Sequence, residues 1–156
     1  MNCSTVIPNK GIGPIQLGMS KSEIDALFDA EDIEIQQIDT LFINDEEKHQ
    51  LLSVRYDDSK FIVLYDAHHM AIEISAVIDF FKAPPLTLYD INLLESSAED
   101  IIPLLSHYAP STYDGADKDL STTYIFEDLG ITLWRESGFH SKLLTQLSQL
   151  KSLNKA

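Results

Sequence analysis

Between Leu52 and Ala76, apolar and polar residues alternate in three successive runs, and this pattern limits the fold more than any other stretch of the chain. Leu52, Val54 and Tyr56 alternate with Ser53 and Arg55. Asp57-Asp-Ser-Lys60 turns the chain, and Phe61 to Tyr65 returns. After a second turn at Ala67-His-His69, Met70, Ile72, Ile74 and Ala76 alternate with Ala71, Glu73 and Ser75. Side chains point to opposite faces along a strand, so period two with one polar face predicts an antiparallel meander covered on one side only.

Helical signals flank this meander. Ile15 to Leu17 reads as a short strand, Gly18 as a tight turn that favours a positive φ, and Ser20 as a helix cap. Glu23 stands three residues after Ser20, the spacing at which hydroxyl and carboxylate satisfy each other's backbone N–H. Ile24, Leu27 and Phe28 then form one apolar helical face. Ser96 and Glu99 repeat the capping spacing ahead of Ile101, Ile102, Leu104 and Leu105, with Pro103 expected to bend or restart that helix. Thr5 to Ile7 reads as an edge strand and Ile33 to Ile38 as a weak strand. Leu86 to Leu94 reads as another strand. Thr122 to Phe126 and Ile131 to Arg135 make a hairpin around Asp128-Leu-Gly130. Leu143, Leu144, Leu147 and Leu150 predict an amphipathic C-terminal helix over about 139–153. The expected fold class is α+β: an antiparallel sheet or sheets with two to three helices packed on one face.

The two halves also look alike. Ile15-Gln-Leu17, Ser20 and Glu23 match Ile91-Asn-Leu93, Ser96 and Glu99, and Phe61-Ile-Val-Leu-Tyr65 matches Gly130-Ile-Thr-Leu-Trp134. The expectation is a single domain over residues 1–156 with an internal repeat, about 11–81 and 86–136, each unit a strand, a helix and a hairpin.

Charge decides which partners the chain can take. With 11 basic and 25 acidic side chains it carries −14 at neutral pH. Such a surface repels nucleic acid and anionic lipid, which need clustered Lys and Arg, and it speeds encounter with a basic protein. Acidity of this kind also serves solubility alone. No run approaches the ~20 apolar residues of a membrane span. Met1-Asn-Cys-Ser has neither the basic start nor the apolar segment of a secretory signal. A single cysteine, Cys3, excludes an internal disulfide, so a cytoplasmic location is expected.

Tested for chemistry, the residues offer no catalytic set. Cys3 lacks a neighbouring cation to lower its pKa. No G-x-S-x-G elbow occurs, and Gly11-Ile-Gly13 runs into Pro14 and a strand, whereas a phosphate loop opens a helix. His68 and His69 are adjacent and point apart on an extended chain. Asp117-Lys-Asp119 begins like a calcium loop but places Thr122 where glycine belongs and Asp128 where glutamate belongs. No cofactor or metal is therefore expected. A small hydrolase using dispersed carboxylates such as Asp57 with Glu73 is the remaining enzymatic alternative. Tyr56, Phe61, Tyr65 and Trp134 read as core or sheet-face residues, whereas Tyr108 and Tyr113 flank an acidic loop. The candidate binding residues are Asp45, Glu46, Glu47, Asp57 and Asp58, or Asp114, Asp117 and Asp119 with Tyr108 and Tyr113.

Gly11-Ile-Gly-Pro-Ile-Gln-Leu-Gly-Met-Ser20, followed by Lys-Ser-Glu-Ile24, resembles an opening common in small bacterial immunity proteins, which neutralise polymorphic or contact-dependent inhibition toxins by direct binding. Leu17-Gly-Met-Ser-Lys-Ser-Glu-Ile24 is also similar to a pattern in tandem-repeat β-lactamase inhibitor proteins and in small outer-membrane assembly lipoproteins. The resemblance covers about twenty residues and marks a strand–turn–helix shape more than an activity. It implies a non-enzymatic immunity protein that binds a toxin domain, and the acidic surface adds the expectation that this domain has a basic active site, such as that of a nuclease. A binding or scaffold module of unrelated role is the alternative.

Overall fold

A computed structural model describes residues 4–42, 48–77, 86–93, 98–113, 123–134 and 146–150. The described residues are mostly strand, with two α-helices, and form two sheets rich in antiparallel pairs. The strands are β1 (Ser4–Ile7), β2 (Gly11–Ile12), β3 (Ile15–Gln16), β4 (Ile33–Phe42), β5 (Lys48–Tyr56), β6 (Phe61–Tyr65) and β7 (Ala71–Val77). They continue with β8 (Leu86–Leu88), β9 (Ile91–Asn92), β10 (Thr112–Tyr113), β11 (Thr123–Phe126), β12 (Ile131–Trp134) and β13 (Gln146–Leu150). The helices are α1 (Lys21–Asp25) and α2 (Ala98–Ser106).

The expected meander is the heart of an eight-stranded sheet ordered β10-β11-β12-β13-β7-β6-β5-β4. Its alternation sends Val54, Tyr56, Phe61, Val63, Tyr65, Ile74 and Ala76 to one face, where Leu147, Leu133, Ile131, Tyr124 and Phe126 join them, all buried. Burial of each such side chain contributes about 1.5–3 kcal/mol before the entropy of ordering is subtracted. A five-stranded sheet ordered β3-β2-β1-β8-β9 adds Val6, Ile12, Ile15, Leu86 and Leu88 to the same hydrophobic cluster, as do Ile24 of α1 and Ile101, Ile102 and Leu105 of α2.

Local signals worked where short-range chemistry decides. Ser20 caps α1 in a full capping box: the Glu23 N–H donates to Ser20 Oγ (3.2 Å) and the Ser20 N–H to Glu23 Oε1 (3.1 Å). The Ser20 N–H and the Ser20 hydroxyl (2.9 Å) both donate to Glu23 Oε1, which holds the Glu23 carboxyl below the usual carboxylate range. The Gly18 turn, φ +86°, is stitched to β7: Gly18 N–H donates to the Ala71 carbonyl and Ala71 N–H to that of Met19, each at 2.8 Å.

Four expectations need correction. Residues 146–150 are strand β13, filling the place between β12 and β7, so they cannot belong to a helix over 139–153; the rest of that range lies outside the described residues. The reason is long-range: β7 and β12 each present a row of backbone groups that only another strand can satisfy. Thr5 to Ile7 belongs to a central strand, not an edge, because β8 pairs with β1 in parallel, Ser4 opposite Leu86. Leu86 to Leu94 is not one strand. It turns at Tyr89-Asp90 into the hairpin β8–β9. Finally, α1 ends at Asp25, which leaves Leu27 44% exposed while Phe28 folds in against Tyr56, ring centroids 5.0 Å apart. α2 runs through Pro103.

Candidate functional site

Asp57 and Asp58 sit in the β5–β6 turn, where Asp57, Asp58 and Ser59 all take positive φ (55°, 53° and 67°). Aspartate tolerates this backbone better than most residues. The β4–β5 register places Ile33 opposite Tyr56, so the 3-10 turn Ala30–Asp32 lies beside the hairpin turn, and Asp57 N–H donates to the Asp32 carbonyl at 3.0 Å. Two acidic turns that are separate in sequence thereby become one corner carrying Asp29, Glu31, Asp32, Asp57 and Asp58.

Electrostatics in this corner are unbalanced. Lys60 Nζ stands 3.7 Å from Asp57 Oδ2, a part-exposed pair worth at most a few tenths of a kcal/mol to ~1 kcal/mol. The Asp32 carboxyl is held above the usual carboxylate range, chiefly by partial desolvation and further by the negative charges of Asp58, Glu31, Asp29 and Asp57. The corner thus stores like-charge repulsion that a cationic partner would relieve.

Beneath α1 lies a buried polar chain. Tyr56 O–H donates to Asp25 Oδ1 (2.7 Å), so Tyr65 O–H, 2.5 Å away, donates to Tyr56; Lys21 Nζ donates to Asp25 Oδ2 (2.6 Å). Burial pushes both phenols well above their ordinary range, so they remain neutral and the network reads as a clamp between helix and sheet. Both tyrosines are core residues as expected; their hydroxyl chain carried no sequence signal.

On the opposite face of the long sheet, Ser75 Oγ and Ser148 Oγ lie 2.5 Å apart and both hydrogen-bond the Glu73 carboxylate. Burial holds Glu73 above the usual range while the two serines pull it down. Asp57 does not join this cluster. Glu73 pairs with Leu64, three residues along β6 from the Asp57 turn, which is about 10 Å of strand. The carboxylate pair needed for the hydrolytic alternative is not brought together.

The second group of expected residues is placed in part. Tyr108 is 55% exposed and its ring stacks on Tyr89, centroids 4.1 Å apart. Tyr113 ends β10 opposite Tyr124. Asp45, Glu46, Glu47, Asp114, Asp117 and Asp119 lie outside the described residues. Sequence reading missed Tyr89, Glu127 and Asp128; the last two help line a small pocket of about 100 Å³ with Pro110, Ser111, Thr112 and Ile125. Among the described residues no three His, Cys, Asp or Glu side chains converge to hold a metal ion, and no helix is long and apolar enough to cross a membrane. Comparison with known protein families, with curated proteins and with solved structures finds no match to this chain.

Proposed function

We propose that this chain is an immunity protein: a non-catalytic cytoplasmic binder that neutralises a toxin domain by covering its active site or its substrate's path. The observation that carries the reading is the corner of Asp29, Glu31, Asp32, Asp57 and Asp58, where partial desolvation and then the neighbouring negative charges raise Asp32 and Lys60 is the cation paired with Asp57. A toxin acting on phosphodiesters needs a basic cleft, and a preassembled acidic corner complements it.

The architecture supports the same reading. The two halves are taken as repeats of one domain: β6 and β12, matched by sequence, stand directly beside the central β7–β13 pair on either side, and β3 and β9 form the two edges of the smaller sheet. In this reading α1 and α2 lie against one face of a shared sheet. At ~4.8 Å per strand, eight strands span roughly 34 Å, wide enough for an interface of standard size.

Co-expression with the product of the adjoining gene tests it. A stable complex on pull-down, together with rescue of growth from that product's toxicity, is expected. Absence of both would contradict the proposal.

A further inference from the structure

Tyr89 and Tyr108 form a near-parallel stack, 4.1 Å between centroids and 6° between planes. Tyr89 comes from the β8–β9 turn, where it and Asp90 both hold positive φ, 50° and 66°. Asn-Gly is the usual occupant of such a turn, and a bulky ring in left-handed backbone is an outlier of the kind that collects where a side chain is presented to something. Tyr89 covers one face of the Tyr108 ring, and Tyr108 is still 55% exposed.

The stack does not stand alone. The parallel β1–β8 register ends with Val6 opposite Leu88, and the next residue of each strand is Ile7, 44% exposed, and Tyr89. Two residues past Tyr108, Pro110 enters the wall of the pocket of about 100 Å³, along with Ile125 (42% exposed), Glu127 and Asp128. Asn9, just beyond β1, closes the circuit by donating its N–H to the Leu129 carbonyl (3.0 Å) and its side-chain amide to that of Asp128 (2.9 Å). The pocket is many times the ~10–15 Å³ that one water requires, and no Lys, Arg or His is among its lining residues.

We propose that this surface is a docking site for an arginine side chain of a partner protein, the aliphatic stem crossing Tyr108 and the guanidinium entering the pocket beside Glu127 and Asp128. Arginine fits better than lysine because its apolar stem suits an aromatic ledge and its planar fork can address two carboxylates at once. The occupant is assigned by charge: Glu127 and Asp128 line the pocket beside Pro110 and Ile125, with no cation among the lining residues, on a chain of net charge −14. As the site of a basic partner it rests on the immunity reading, of which it would be a second contact away from the Asp29–Asp58 corner.

The test needs no toxin. The full chain, isotope-labelled, is titrated with acetyl-Gly-Arg-Gly-amide and with the same peptide carrying lysine or the neutral isostere citrulline. Saturable NMR shifts centred on Tyr89, Tyr108, Ile125 and Glu127 are expected for arginine, at a Kd of roughly 1–10 mM as suits one side chain. The response should be weaker for lysine and absent for citrulline. Asp128→Asn should lower arginine affinity roughly tenfold, with the shifts of residues remote from the pocket unchanged. Tyr108→Phe should bind normally, whereas Tyr108→Ala should not. Equal response to citrulline, shifts centred on the Asp29–Asp58 corner, or no saturable shift in that range would overturn the site. Failure of the immunity reading appears separately, as no complex with the adjoining gene product while the peptide still binds.

Discussion

At the scale of single residues, Tyr56 is the tie between α1 and the long sheet, since its hydroxyl both donates to Asp25 and accepts from Tyr65. Tyr56→Phe removes both bonds and leaves the Tyr65 hydroxyl buried without its partner, so unfolding in urea should show a loss of about 1.5–3 kcal/mol. Tyr65→Phe removes one neutral bond and should cost about 0.5–1.5 kcal/mol. The reverse order would show that the hydroxyl chain does not run as described. Two glycines separate space from backbone. A Cβ on Gly11 would collide with the Ile15 carbonyl oxygen and come within 2.9 Å of Gln16 Cα, whereas at Gly18 it would meet nothing within 4 Å. Gly18→Ala should cost only the ~1–2 kcal/mol of left-handed backbone, and Gly11→Ala more, because β2 and β3 must part. Asp32 supplies a pH prediction. Its carboxyl is raised in the fold, so the folded state holds the proton more tightly than the unfolded chain. The penalty is full above the folded pKa and fades as pH falls toward the ordinary carboxylate value. Asp32→Asn should therefore raise the urea midpoint at neutral pH and flatten the gain that wild type shows on mild acidification.

Among the elements, those set by near neighbours were legible and those set by distant ones were not. The meander from β5 to β7 follows from alternation, and the α1 cap from Ser20 and Glu23. Strand β13 did not, because Leu143, Leu144, Leu147 and Leu150 satisfy helical spacing, while what decides the segment is a vacancy between two strands remote in sequence. The central place of β1 likewise depends on a parallel partner 82 residues away, Leu86 opposite Ser4. The same limit applied to the site. Asp29 to Asp32 and Asp57-Asp58 each read as ordinary acidic turns, and only the β4–β5 register makes them one corner. If β13 is an interior strand, Ser148→Pro should abolish cooperative folding, since it removes a ladder donor. Leu147→Ala should cost about 2–5 kcal/mol, as Leu147 is fully buried. Circular dichroism showing Ser148→Pro folded with wild-type stability would argue for the helix instead.

For the whole molecule, charge sets how a partner is found. A chain at −14 with its acidic corner assembled before contact should attract a basic domain over distances near the Debye length, about 8–10 Å in ordinary buffers. The rate of encounter then carries the signature of the proposal more clearly than final affinity does. The most direct measurement is the association rate with the adjoining gene's product, by stopped-flow mixing across a range of salt. It is made for wild type and for the chain with Asp29→Asn, Glu31→Gln, Asp32→Asn, Asp57→Asn and Asp58→Asn together. Wild type should associate on the order of ten- to a thousandfold faster at low salt than the neutralised chain and lose that advantage as salt rises. Equal rates for the two chains, flat against salt, would contradict the account.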